Sequence, residues 1–554
     1  MKKSFVKILC LIVSILLFIT VFAGCSKDEQ TAQPGETSQN TKQPEETGGT
    51  EKDSQDEQNG SEGTSTSSLP IAKEKITLKV MAPKHPMGGP WENLRIFKDL
   101  EEMTNIHLEF DVAYEGFEEK KNLALATGDL PDIFLGALTA EDEEIYGPQG
   151  VLIDLTDLIE QHGVNIKKAF EKYPLLKKTI TASDGKIYAL GRVIKTPTIG
   201  SYKPVINKVW LENLGLEVPE TIDELYNVLK AFKEGDPNKN GQQDEIPLGE
   251  IDFGILGGML LPAFGEMAQD IALKDGKVVF TPITEGYKHY LEFLHKLYQE
   301  KLIDPMFMSQ SMDEYLAKTK QNLYGVLGHI RQADWQQYQI LSPLTSQYNS
   351  ERFSSSSDVA YASGAFAITK VNKYPVESIK WADLFFTESD EGVNGITGVA
   401  LWIGRRGVDW DFTEDGSAIR YLFEPEEGMT EIQTLLQKVT PSETGLVGTS
   451  VLEKPFESPY LRWVGENNMR YIFPYIRPER IYPNVRFTSE EQEKLSIMKA
   501  DITNFVSQSR ARFITGEDSL DKWDEYVKTL KDMGIDEYIS IHQTAYDRFM
   551  QSGN

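Results

Sequence analysis

Cysteine and histidine are both scarce, since the 554 residues include two cysteines, Cys10 and Cys25, and seven histidines. Two cysteines cannot form a disulfide framework, and so few histidines argue against a histidine-rich metal site. The GxSxG, P-loop, HExxH, CxxC and GxGxxG patterns of common catalytic and nucleotide-binding sites are absent as well. We therefore predict that the protein is not an enzyme.

Basic residues are the minority, with 57 lysines and arginines against 85 aspartates and glutamates and a formal net charge of −28. A surface of this sign repels nucleic acid and anionic headgroups, so we expect no nucleic-acid partner. The acidity favours solubility and suits a divalent cation. The length exceeds what one hydrophobic core normally supports, which predicts two or more lobes.

The N-terminus is typical of a secretory signal over residues 1–24. Three lysines within the first seven residues precede an apolar run from Ile8 to Val21. This run is shorter than the roughly 20 residues that a membrane-spanning helix needs, although a permanent transmembrane anchor is the alternative interpretation. Small residues directly before Cys25 resemble a bacterial lipobox, with Phe22 where leucine is usual. The resemblance implies cleavage before Cys25 and a diacylglycerol on its sulfur, with acyl chains such as palmitate that anchor the chain to a membrane.

Residues 26–70 contain no aromatic residue and consist almost wholly of small, polar and charged residues. Such a segment cannot bury enough apolar surface to offset the entropy lost when its backbone is ordered. We therefore predict a lipidated and disordered tether over 25–70, followed by a folded body over 71–554.

The folded body opens with alternating strand and helix patterns. Residues 75–81 alternate like a strand, and residues 91–103 carry apolar side chains at helical spacing. The same alternation continues in a strand at 107–112, a helix at 118–127 and a strand at 131–135. It predicts an α/β fold with a largely parallel sheet. Further helices are predicted at 221–233, 287–302, 489–509, 520–533 and 535–550.

The loop from Asp236 to Glu245 has oxygen-bearing side chains at positions 1, 3 and 5, glycine at position 6, and carboxylates at positions 9 and 10. This spacing is typical of a calcium loop, in which about six to eight oxygens surround the ion. Position 12 is Pro247 instead of a bidentate glutamate, so Glu245 would have to complete the shell. A polar turn between helices is the alternative. The candidate calcium ligands are Asp236, Asn238, Asn240, the backbone carbonyl of Gln242, Asp244 and Glu245.

Aromatic rings that stack on sugar faces form a second group of candidates. Four of the eight tryptophans, which are Trp91, Trp335, Trp402 and Trp463, lie in or beside irregular stretches where binding residues concentrate. Arg331 lies near Trp335 in the sequence and suits the recognition of hydroxyl or carboxylate groups. For each tryptophan, a place in the hydrophobic core is the alternative.

The order of several short motifs resembles that of family 1 extracellular solute-binding proteins. The stretch Asn122–Ile133 contains the A-x-G-D-x-P-D pattern of that family. Further motifs follow in the family's order at 150–155, 184–188, 210–216, 236–245, 286–287, 301–305, 513–516 and 526–546. The resemblance spans residues 71–554.

The resemblance implies two α/β lobes in the type 2 fold of periplasmic binding proteins, with a ligand cleft that closes by a hinge between them. We expect lobe 1 over roughly 71–200 and 363–440 and lobe 2 over roughly 201–362 and 441–554. The resemblance also implies that the loop at 236–245 binds calcium. Asp132, at the end of a sheet strand, matches a cleft-facing position, which agrees with the tendency of ligands to lie beyond the carboxyl ends of strands.

We therefore predict the substrate-capture subunit of an ABC importer, a monomer anchored by lipid on the outer face of the cell membrane. It would bind an oligosaccharide or a sugar acid, hold structural Ca²⁺ and deliver the sugar to the permease subunits. A binding protein for peptides or another non-sugar solute is one alternative. A lipid-anchored enzyme that degrades polysaccharides is the other.

Overall fold

The computed structural model describes residues 69–198, 203–330, 333–388, 390, 392–442 and 445–552. Its strands are β1 (Ile76–Pro83), β2 (Ile106–Ala113), β3 (Ile133–Leu135), β4 (Leu190–Lys195), β5 (Val205–Asn207), β6 (Ile246–Gly249), β7 (Ile271–Lys274), β8 (Lys277–Phe280), β9 (Tyr324–Leu327), β10 (Tyr338–Ile340), β11 (Val359–Ile368), β12 (Trp410–Phe412), β13 (Ile419–Tyr421) and β14 (Gly448–Val451).

The α-helices are α1 (Arg95–Thr104), α2 (Phe117–Thr127), α3 (Ala140–Tyr146), α4 (Thr156–His162), α5 (Val164–Lys172), α6 (Pro174–Ile180), α7 (Lys208–Leu214), α8 (Ile222–Glu234), α9 (Phe253–Leu260), α10 (Glu285–Gln299), α11 (Met312–Lys320), α12 (Pro375–Asp383), α13 (Ala400–Ile403), α14 (Glu431–Thr434), α15 (Pro459–Tyr471), α16 (Ser489–Thr515), α17 (Trp523–Asp532) and α18 (Ile535–Gln551). None of these helices, within the described part of the chain, is long and apolar enough to span a bilayer.

The strands and helices predicted at the start of the body are confirmed as β1, α1, β2, α2 and β3, and the five later helices are confirmed within a few residues. Local chemistry explains their starts and ends. At α8, the Thr221 side chain accepts the Glu224 N–H while the Glu224 carboxylate accepts the Thr221 N–H. Helix α16 continues beyond its predicted end to Gly516, whose φ of 82° stops it.

Two sheets organise these elements. The first has the strand order β14-β4-β11-β3-β1-β2, and the second has the order β10-β5-β9-β6. In the first sheet, β11 alone runs against its neighbours, so the carboxyl ends of its other strands lie at one edge. In the second sheet, β5 alone runs against the others, which again places the remaining carboxyl ends at one edge.

The chain crosses between the sheets at these carboxyl edges. It leaves β4 and enters β5, leaves β10 and enters β11, and leaves β14 and enters α15, which packs on β10. Because β5 and β11 run against their neighbours, each begins at the carboxyl edge of its own sheet. The two carboxyl edges therefore face each other across the crossings.

Helix α15 fits closely against the crossing segments. A Cβ atom on Gly465 would lie 3.0 Å from the Cβ of Pro455 and 3.2 Å from the Cβ of Pro197, so this position has no room for a larger residue. The Asn468 amide donates a hydrogen bond to the Pro197 carbonyl at 3.0 Å. These contacts fix α15 between the two sheets.

The expected boundary at residue 440 assigns the following segment, which contains β14, to lobe 2. That strand pairs with β4 and belongs to the first sheet. The C-terminal helices α16, α17 and α18 share a hydrophobic core with α8 and α10 on the second sheet. The lobe boundaries as a whole stay a prediction.

A buried ion pair joins the N-terminal end of α16 to the first-sheet lobe. Arg486 donates from Nη2 to Glu143 Oε2 at 2.8 Å, and both side chains are almost completely buried. Its other nitrogens donate to the carbonyls of Thr179 and Ala140 at 2.9 and 3.1 Å. Since α16 continues into the core of the second-sheet lobe, this pair ties the two lobes together away from the crossings.

Replacing Arg486 by methionine should lower the free energy of unfolding by about 3–5 kcal/mol, because it leaves the Glu143 carboxylate buried without its partner. Lys494→Ala breaks an exposed pair with Glu490 on the same helix and should leave the free energy of unfolding almost unchanged. Urea unfolding followed by tryptophan fluorescence measures both. Equal, small losses for the two variants would contradict a structural role for the buried pair.

Candidate functional site

The carboxyl edge of the second sheet carries polar and charged side chains. Asp252 and His329 follow the ends of β6 and β9, and Lys203 precedes β5. The backbones of Lys203 and His329 form an isolated parallel β-bridge. This edge faces the first sheet and is the kind of position where ligands of α/β proteins bind.

Lys203 lies at this edge in a poorly solvated position. Burial lowers the pKa of its ammonium group to about 8. Desolvation disfavours the charged form of a lysine, and no described acidic residue raises the pKa of Lys203 back toward its ordinary value. The edge therefore carries a cation that a hydroxyl or other acceptor would stabilise.

A cavity of about 710 Å³ opens beyond the carboxyl end of β6. Asp252 and Phe253 line it from the start of α9, Asp270 from the turn before β7, Tyr287 from α10 and Arg510 from α16. Its volume lies within the range of about 300–1,000 Å³ that small-molecule sites occupy.

An aromatic cluster of three residues, Trp335, Tyr460 and Trp463, lies where α15 meets the second-sheet lobe. The centroid of the Trp335 ring is 5.6 Å from that of Trp463 and 6.3 Å from that of Tyr460. All three side chains are only partly buried. They thus present ring surface to solvent next to the crossing that leads from β14.

The positions of the three rings follow from local structure. Tyr460 and Trp463 are three residues apart on α15 and therefore share one face of the helix. Trp335 begins a short 3₁₀ turn, which Asp334 caps by accepting the Gln336 N–H at 3.2 Å. The cluster shares its hydrophobic surroundings with Ile251, which also lines the cavity.

Two of the predicted tryptophans lie in the core instead. Trp91 is 0% exposed and contacts the rings of Phe97 and Phe110 at centroid distances of 5.4 Å. Trp402 is 7% exposed and packs edge-on to Phe456. Neither ring offers a face to a ligand, so the expected ligand role is wrong for both. Trp335 and Trp463 are only partly buried, and their ligand role stays a prediction.

The expectation that Asp132 lies beyond the carboxyl end of a strand is also wrong. Asp132 directly precedes β3, which is parallel to β1, and so it lies at the opposite edge of the first sheet. Its Oδ2 accepts the Lys79 N–H of β1 at 2.8 Å. The Pro-Asp motif therefore positions a side chain that stabilises the sheet rather than one that faces the other lobe.

Arg331 and Cys25 lie outside the described residues, as do the signal segment at 1–24 and nearly all of the tether. Their expected roles stay predictions.

The loop predicted to bind calcium turns its oxygen atoms inward. Asp236 accepts the N–H groups of Asn240 and Gly241, each at 3.0 Å. The amides of Asn238 and Asn240 donate to the Asp244 carboxylate at 3.1 to 3.2 Å. Hydrogen bonds thus link Asp236, Asn238, Asn240, Gly241 and Asp244 within the loop.

Glu245 is the exception within this loop, because both of its carboxylate oxygens are buried and accept no hydrogen bond of standard geometry from the described residues, although the backbone N–H groups of Asn238 and Glu245 lie nearby. Burial raises the pKa of Glu245, and the nearby charges of Asp244 and Asp236 raise it further. Gln242 donates its N–H to Asn240 Oδ1 at 2.7 Å. Among the described residues, no three His, Cys, Asp or Glu side chains lie close enough together to hold a metal on their own. A cation at this loop would thus need amide and backbone carbonyl oxygens in addition to the carboxylates, and hard cations accept such ligands.

The fold and these sites were compared with known proteins. The family described as bacterial extracellular solute-binding protein matches residues 94–392. The chain belongs to this family. The resemblance seen in the motifs is thus confirmed, and the solute-binding protein is expected to share the family's two-lobed α/β architecture.

Curated relatives extend over most of the solute-binding protein. The fructooligosaccharide ABC transporter substrate-binding protein FusA of Streptococcus pneumoniae is 30% identical over 511 residues, covering 87% of this chain and 92% of FusA. The polygalacturonan/rhamnogalacturonan-binding protein YtcQ of Bacillus subtilis is 24% identical over 492 residues, covering 85% of this chain and 91% of YtcQ.

Solved structures of FusA agree with the fold. The FusA complex with kestose has a TM-score of 0.67 and 27% identity, and it covers 86% of this chain and 100% of FusA as crystallised. A second FusA structure, in complex with fructo-nystose, is described as an EF-hand mutant. The two-lobed α/β fold predicted from the sequence is therefore confirmed.

Several residues of the site were missed in the sequence. Lys203, Asp270 and Arg510 lie far from one another and from Trp335 in the sequence, and only the fold brings them to one lobe. The spacing of Tyr460 and Trp463 is the one local signal that was available, since residues three apart on a helix share a face.

Replacing Lys203 by methionine should flatten the dependence of stability on pH between about 8 and 10.4. In this window the unfolded chain, with an ordinary lysine pKa of about 10.4, binds a proton that the folded chain has lost, so wild-type stability rises with pH. The difference in unfolding free energy between wild type and variant should change by up to about 1.4 kcal/mol per pH unit. A constant difference across the window would contradict the lowered pKa.

Proposed function

We propose that this solute-binding protein captures an oligosaccharide between its lobes and delivers it to the permease of an ABC importer. The observation that carries the proposal is the exposed aromatic cluster of Trp335, Tyr460 and Trp463 at the junction of α15 and the second-sheet lobe. Sugar rings have apolar faces that stack on aromatic side chains, and these three rings lie beside the facing carboxyl edges of the sheets.

Polar groups at the same edge complement the rings. The Lys203 ammonium and the side chains around the cavity supply donors and acceptors for sugar hydroxyls. Desolvated hydrogen bonds of this kind fix the orientation of a ligand, while the rings supply most of the apolar contact. FusA and YtcQ are both named for the carbohydrate that they bind, which supports a carbohydrate for this chain.

We also propose that Cys25 carries the lipid anchor and that the segment at 25–70 tethers the body near the permease. Support comes from the basic start, the short apolar run and the small residues before Cys25. A receptor confined to the membrane surface meets its permease far more often than one that diffuses away. In this proposal the protein binds its sugar and carries out no chemistry on it.

A thermal-shift screen over neutral oligosaccharides, oligouronates and peptides tests the function. A ligand present at 100 times its dissociation constant stabilises the folded protein by about 2.7 kcal/mol, so a true ligand raises the melting temperature clearly. We expect carbohydrates to raise it and peptides to leave it unchanged. A shift with peptides and none with any carbohydrate would overturn the proposal.

Trp335→Ala and Trp463→Ala should each weaken binding of the best carbohydrate by about fivefold to thirtyfold, because a lost stacking contact is worth on the order of 1–2 kcal/mol. Tyr374→Ala, which removes an exposed aromatic ring directly before α12, is the control. Titration calorimetry measures the three affinities. Unchanged affinity in both tryptophan variants would place the sugar elsewhere.

We propose further that the loop at 236–245 binds a structural Ca²⁺. The side chains of Asp236, Asn238, Asn240, Asp244 and Glu245 and the Gln242 carbonyl would hold it. The ion would supply the positive charge that the buried Glu245 carboxylate lacks. The EF-hand that one FusA structure is described as altering supports this assignment.

Adding Ca²⁺ to chelator-treated protein should raise its melting temperature, and Glu245→Gln should abolish most of that rise. The variant loses a charged ligand at a site where the ion stabilises the folded state by mass action. Glu217→Gln, at an exposed position ahead of α8, is the control and should keep the full response. Equal responses of wild type and Glu245→Gln would show that calcium binds at another place.

A further inference from the structure

We propose that Asp270 and Arg510 form a subsite that binds one uncharged, hydroxyl-rich unit of the sugar ligand in the cavity beyond β6. The inference rests on the proposed function and deepens it, since it assigns the chemistry of one part of the ligand. It is carried by three polar side chains that face this cavity from separate elements.

Arg510 lies at the wall of the cavity. Its guanidinium group lies over the Phe253 ring, 4.1 Å from the ring centroid, in a cation–π contact. Its Nε is buried and has no hydrogen-bond partner within the described part of the chain. A planar donor group in a fixed orientation with an unused N–H is suited to a ligand oxygen.

Asp270 faces the same space from the turn ahead of β7. Its backbone carbonyl accepts the Thr281 N–H at 2.8 Å, which fixes the turn. Surrounding protein raises the pKa of its carboxyl, and the charge of Arg510 only partly opposes this. Among the described residues no ion pair closes the space between Asp270 and Arg510. A ligand hydroxyl can therefore donate to the carboxylate while a neighbouring oxygen accepts from the guanidinium.

Tyr287 is the third polar group of the cavity. Its side chain is 4% exposed, and its hydroxyl lies beside the Arg510 guanidinium without a hydrogen bond of standard geometry to it or to another described residue. Buried hydroxyls are nearly always satisfied in native proteins, so an unsatisfied one that lines a cavity points to a partner inside it. A sugar unit, with its several adjacent hydroxyls, can satisfy all three groups at once.

The charges around the cavity favour a neutral sugar over a uronate. Asp252 and Asp270 contribute two carboxylates against the single guanidinium of Arg510. A uronate carboxylate that paired with Arg510 would bring a third negative charge next to these two, and like charges at short range repel. Neutral hydroxyls avoid this repulsion and use both kinds of group.

The test compares kestose, maltotriose, diacetylchitobiose and trigalacturonate by titration calorimetry on the full chain. We expect a neutral oligosaccharide to bind best, and we expect Arg510→Gln and Asp270→Asn each to weaken its binding at least tenfold. Arg512→Gln is the matched control, because Arg512 lies two residues along α16 and pairs with Asp518 at the surface. Melting temperatures of all variants establish that they fold.

Tighter binding of trigalacturonate than of any neutral sugar would overturn the assignment. So would unchanged affinity for the neutral sugar in both Arg510→Gln and Asp270→Asn, although the proposed function would then stand. If none of the carbohydrates binds wild type, the proposed function fails as well. A variant that has lost fixed structure is replaced by Arg510→Lys, which keeps the charge but not the planar donor fork and should still bind several-fold more weakly.

Discussion

The rest of this structure depends on one constraint, which is that the carboxyl edges of the two sheets face each other. Strands β5 and β11 each run against their neighbours, so the chain enters each sheet at the edge from which the other strands leave it. Polar backbone and side-chain groups at both edges are thereby turned toward one space. A ligand between the sheets meets strand ends, capped turns and crossing segments, which are the parts of an α/β protein that tolerate varied side chains.

The same crossings join pieces of the site that are distant in the sequence. Helix α15 follows the crossing from β14 and brings Tyr460 and Trp463 to Trp335 of the second-sheet lobe. Helix α16 carries Arg510 near its C-terminal end, where this residue lines the cavity. Arg486 lies in the segment just before the helix begins and is paired with Glu143 of the first-sheet lobe. The α16 segment therefore contacts both lobes as well as the cavity. A receptor whose lobes close around a ligand needs such a link between its ligand contacts and both lobes.

Periodicity and capping residues were sufficient to predict the early strands and helices, the long C-terminal helices and the α/β class. The motif order was sufficient for the family. The residues that line the cleft could not be predicted, because the sequence does not reveal whether a tryptophan is buried in the core or exposed to a ligand. Trp91 follows an irregular stretch just as Trp335 does, yet it is buried against Phe97 and Phe110. Asp132 shows a second limit: a strand pattern does not reveal which of its ends faces the partner lobe, since that depends on pairing with β1.

The central claim is that a carbohydrate is held between the two sheets, against the aromatic cluster and the carboxyl edge of the second sheet. A crystal structure of the protein with a bound oligosaccharide tests this most directly. The account predicts a sugar ring stacked on Trp335 or Trp463, with its chain running toward Lys203 and the cavity beside Asp252. Clear density for the sugar on an outer surface of either lobe, with the aromatic cluster unoccupied, would contradict it.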